Sequence, residues 1–94
     1  MPKKPDGLRI RKVGDGAWEV LIASDDQWLP CHSEDDARLI AALPVYEYES
    51  LERTRSGPEF ADELDRLANV LEKYEIGFGS RFFRRRAEEA RNQS

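Results

Sequence analysis

The stretch CHSEDDARLIAALP, residues 31–44, sets the chain's one cysteine beside its one histidine, with Glu34, Asp35 and Asp36 just beyond. It reads either as a reactive site or as a strand running into a capped helix. A nucleophilic cysteine needs a base within hydrogen-bond reach, whereas neighbours in an extended segment point to opposite faces. Ser33 is a preferred N-cap, Asp36 stands three residues on, and acidic residues suit the first turn of a helix. Capping therefore accounts for the carboxylates. A structural zinc site usually takes four Cys and His ligands, and this chain holds two such residues. The reading that follows makes Cys31 a core residue, since free cysteine packs like a small hydrophobe, and His32 a surface one. The helix runs through ARLIAAL and breaks at Pro44, which cannot hydrogen-bond back to Ile40. Pro44 suits the first residue of a second helix, PVYEYESLERT, ending near Arg55.

Upstream, LRIRKV, GDG and AWEVLIA form a β-hairpin. A two-residue Asp15-Gly16 turn would pair Val13 with Trp18 and mix charged and apolar groups on both faces. A three-residue loop, Gly14 to Gly16, pairs Leu8 with Ile22, Ile10 with Val20 and Lys12 with Trp18, collecting one apolar face. It also sets Arg11 opposite Glu19, a favourable cross-strand pair, and puts Gly16 where a left-handed residue is needed. WLPCH returns as a third strand. With Asp25-Asp26 as turn centre, Ile22 faces Leu29 and Val20 faces Cys31, while Trp28 and Pro30 point the other way. Pro30 implies an edge strand, because it cannot donate to a ladder.

Downstream, Ser56-Gly57-Pro58-Glu59 has the S-x-x-E form of a cap. Phe60, Leu64, Leu67, Leu71 and Tyr74 then make a continuous helical stripe. Gly77 is its expected stop. A short connection leads to a last helix, SRFFRRRAEEAR, with Phe83, Ala87 and Ala90 as its apolar stripe. The expected fold is α+β: a three-stranded antiparallel meander (about 8–13, 17–24 and 28–32) followed by three to four helices, with the third helix as central packing element. One domain over residues 1–94 is expected, with 1–7 and 92–94 disordered.

The run E-x-x-A-R-L-I-A-A-x-P, carried here by Glu34, Ala37, Arg38, Leu39, Ile40, Ala41, Ala42 and Pro44, resembles small uncharacterised bacterial and phage proteins. In those a β-hairpin precedes the same helix start, with an alanine where this chain has Leu43. The resemblance spans about a dozen residues and implies a fold element, with no activity, cofactor or catalytic residue attached.

In 94 residues the charged fraction is 36% and the hydrophobic fraction 39%, a balance that suits many exposed helix faces. A chain of this length buries about two-thirds of its unfolded surface, so oligomerisation is a natural source of further stability. The lone cysteine fits a reducing compartment, and MPKKPDG has no apolar run behind its lysines. A cytoplasmic protein away from the membrane is expected. Charge is unevenly placed: residues 33–75 carry −7 and residues 76–94 carry +3. That arrangement suits contact between helices, within one chain or between two.

Two features carry functional expectation. Arg81, Arg84, Arg85 and Arg86 beside Phe82-Phe83 could bind nucleic acid, arginines to phosphate and rings to bases. The plainer reading is a solvated or partner-facing helix with Arg84–Glu88 and Arg85–Glu89 pairs. Trp28, outside the main core, is either an interface residue, a ring lying flat on the sheet, or one covered by a helix. Tyr46 and Tyr48 could join either arrangement. No phosphate loop, nucleophile elbow or metal-ligand cluster is seen, so no catalytic, cofactor or metal residue is assigned and an enzyme is not expected. The expected function is a non-enzymatic protein–protein interaction module, possible partners including itself as a homodimer. A nucleic-acid-binding accessory protein is the alternative.

Overall fold

The computed structural model describes residues 5–23, 27–77 and 79–92. Its element order is β1 (Ile10–Gly14), β2 (Ala17–Ala23), β3 (Gln27–Cys31), α1 (Glu34–Ala41), α2 (Leu43–Leu51), α3 (Pro58–Lys73) and α4 (Ser80–Asn92). The three strands form one antiparallel sheet in the order β1-β2-β3, so the α+β meander expected from the pattern is the fold. The chain divides into two compact units, residues 1–45 and 46–94, with α2 running from the first into the second.

In the first unit, Ile10 pairs with Val20, Arg11 with Glu19 and Lys12 with Trp18, the register that gathers the apolar side chains. The turn departs from the expected three-residue loop, although the strand register is the one that loop was chosen to give. Gly14 pairs with Ala17 across Asp15-Gly16, and a bulge between Lys12 and Gly14 absorbs the extra residue. Gly16 sits at φ +70°, where glycine pays no Cβ penalty. Leu8 lies ahead of β1 rather than opposite Ile22, and its N–H donates to the Ala41 carbonyl at 2.7 Å.

The third strand is displaced from the expected register. Val20 pairs with Leu29 and Trp18 with Cys31, in place of Leu29 with Ile22 and Cys31 with Val20. A slip of two residues keeps every side chain on its face, so Cys31 is still buried, at 5% exposure, with Val20 at 0%. The proposed Asp25-Asp26 turn lies outside the described residues. A register shift between Leu21 and Ala23 falls at Ile22, which is 43% exposed rather than part of the core. α1 packs on the sheet, mainly against β2, burying Ala37 and Ile40. The Ser33 hydroxyl accepts from the Asp36 N–H at 3.2 Å, the expected cap.

In the second unit α3 packs lengthwise on α4. Phe60, Leu64, Leu67 and Leu71 from one helix and Phe83, Ala87 and Ala90 from the other are buried, while Tyr74, the last residue of the expected α3 stripe, is only half-buried. Three helix ends differ from expectation. α2 stops at Leu51, not near Arg55, and α3 is capped by Gly57 rather than Ser56. Gly57 turns at φ +95° into Pro58, a conformation costly for serine. α3 ends at Lys73 with Tyr74 as its C-cap, ahead of Gly77. Glu75, at φ +57°, donates to the Glu72 carbonyl at 3.1 Å, and Ile76 donates to that of Leu71 at 2.9 Å. This is a Schellman closure with glutamate where glycine is usual.

Glu75 is exposed, so replacing it exchanges little besides backbone strain. Glu75→Gly should raise unfolding stability by about 0.5–1 kcal/mol, the left-handed penalty less glycine's entropy. Urea titration checks this, and a loss of stability would contradict the assigned closure.

Candidate functional site

Cys31 and His32 diverge as alternation in a strand demands: the cysteine is buried and the histidine exposed. The Cys31 thiol donates to the Leu29 carbonyl at 3.7 Å. Among the described residues no group of three or more His, Cys, Asp or Glu side chains could hold a metal ion. No helix among them is long and apolar enough to cross a membrane.

The sheet face turned away from Val20 and Cys31 carries Arg11, Glu19, Leu21, Trp28 and Pro30, by the pairing of Arg11 with Glu19, Glu19 with Pro30 and Leu21 with Trp28. Trp28 is half-buried. The Arg11 guanidinium lies 3.9 Å from the centre of its ring and reaches the Glu19 carboxylate at 2.7 Å. Glu19 thus holds the cation in place over the indole, an arrangement worth about 0.5–1 kcal/mol at an exposed site. One face of the Trp28 ring is thereby covered from within its own sheet, by Arg11. Arg11 was not singled out from sequence as part of this site. The alternation that put Arg11, Glu19 and Trp28 on one face was the available signal.

Tyr46 is turned into the second unit. Its hydroxyl donates to Glu63 at 2.9 Å, and its ring centre lies 6.4 Å from that of Phe60. Burial, the hydrogen bond to Glu63 and the charges of Glu63 and Glu49 push its pKa up to about 12, with Arg55 opposing. Tyr48 is half-buried on the same helix. The Arg55 guanidinium bonds to Glu63, lies 3.6 Å from Glu49 and stands 4.6 Å from the Phe60 ring centre. Burial would lower its pKa, but Glu63 and Glu49 hold it above the ordinary value. No sequence pattern marks this cluster, because its members come from separate elements.

Arg86 joins the same cluster. It is only 5% exposed, donates from Nη2 to the Arg55 carbonyl at 2.9 Å, and lies 5.7 Å from the Phe60 ring centre. Its Nε and Nη1 have no hydrogen-bond partner among the described residues. Among the described residues no carboxylate meets Arg86 directly, yet Arg55 has two, so Arg55, Arg86, Glu49 and Glu63 together sum to zero charge. That balance makes a buried guanidinium tolerable.

The remaining arginines of the run divide. Arg84 does not pair with Glu88. It reaches across to α3, bonding Asn69 at 2.6 Å and also Glu72. Glu89 pairs with Arg53 at 3.7 Å rather than with Arg85. Long side chains reach an opposed charge on the neighbouring helix, which the sequence spacing could not show. Arg81 and Arg85 are exposed and make no ion pair among the described residues, and Phe82 beside them is 39% exposed. The four arginines are therefore not one surface.

Arg86→Ala should cost about 2–4 kcal/mol through the cavity and the orphaned Arg55 carbonyl. Arg86→Met should recover more than half of that, since the packed stem outweighs the charge. Equal losses for both in urea titration would assign the role to the charge instead. For Tyr46 the folded pKa is the raised one, so stability is whole below about pH 10 and falls as pH climbs toward the folded value. Absorbance of tyrosinate should show a late step near pH 12 that Tyr46→Phe removes; its absence in the parent would contradict the Glu63 contact. A thiol reagent should label Cys31 slowly when folded and fast in denaturant, and labelling at the free-thiol rate in the native state would contradict the burial.

Comparison with known proteins gives no matching family model, no matching curated protein and no matching solved structure.

Proposed function

We propose that this chain is a non-enzymatic protein–protein interaction module of the cytoplasm, working as a homodimer through the sheet face centred on Trp28. The observation that carries this reading is the Glu19–Arg11–Trp28 stack on the sheet face opposite α1. Tryptophan and arginine are the residue types most enriched at interfaces and among their energetic centres. Side-by-side strand pairing suits this sheet less well. Pro30 on β3 has no N–H to offer, and the bulge between Lys12 and Gly14 disturbs β1, two devices that blunt a sheet edge. Contact through the face is the geometry left, and an isologous pair would use the same patch twice.

A second reading, nucleic-acid binding by α4, draws on Arg81, Arg85 and Phe82 alone, because Arg84 and Arg86 are engaged within the second unit. Two phosphate contacts would lose only about tenfold in affinity between 50 and 200 mM salt. A purpose-built basic groove would lose far more.

Light scattering after size exclusion should give twice the monomer mass at high protein concentration and a shift toward monomer on dilution. Trp28→Ala should weaken the dimer by at least tenfold, as a central aromatic does, while circular dichroism shows the fold retained. A strict monomer at every concentration would remove the homodimer. Dimerisation untouched by Trp28→Ala would move the interface elsewhere. Retardation of an oligonucleotide at low salt, lost in the Arg81→Ala, Arg85→Ala double variant, would favour the second reading.

A further inference from the structure

We draw no further inference here: the strongest candidate, the shallow groove of about 350 Å³ in the first unit between Leu8 and Ile10 on one side and Ala41 and Val45 on the other, carries nothing because Arg38 at its rim is already paired with Glu34 at 2.6 Å and nothing in the structure shows what covers it.

Discussion

The second unit depends on one contact, the antiparallel packing of α3 on α4. Gly57 at the start of α3 meets the Ala90 carbonyl near the end of α4, at 3.1 Å. At the other end Gly79, at φ +95°, lies where a Cβ would come within 3.3 Å of Leu71 and 3.4 Å of Phe83. The glycine is what lets the chain turn this closely onto α3. Between these ends α4 buries small residues, Ala87 and Ala90, which allow the helices to approach. Charge follows the same geometry. Arg91 reaches Asp62 at 3.0 Å and Asp65 at 2.5 Å, and Arg84 reaches Glu72. Part of the acidic middle and part of the basic end of the sequence are thereby paired inside one chain.

This changes what the arginine run means. A line of basic residues on a helix looks like a binding surface only while every residue is taken to face solvent. Here the helix turns the four side chains to different surroundings. Arg86 enters the core beside Phe60, Arg84 bridges to α3, and Arg81 and Arg85 stay outside. The sheet unit shows the complementary case, in which alternation leaves one face with a helix and gives the other an aromatic ring under its own guanidinium.

Much of this was legible from the residues. Period-two alternation fixed which strand residues share a face, and that survived even where the offset between β2 and β3 did not. The register shifts near Ile22, and such an irregularity leaves no mark in hydrophobic patterning. The stripes of α3 and α4 were legible because burial of leucine and alanine recurs at helical spacing. Helix ends were less so, since Glu75 and Arg53 take left-handed conformations that composition assigns to glycine. The cluster around Phe60 was not legible at all. Its charges are spread from Glu49 to Arg86, and only the folded chain brings them together.

The most direct test of this division of the arginines is a comparison of urea midpoints for four single variants. Arg84→Ala and Arg91→Ala should each lower the midpoint, and added salt should shrink the difference from the parent. Arg81→Ala and Arg85→Ala should leave it where it is. If the second pair lowered the midpoint and the first did not, α4 would have to face α3 with its other side, and the packing described here would be contradicted.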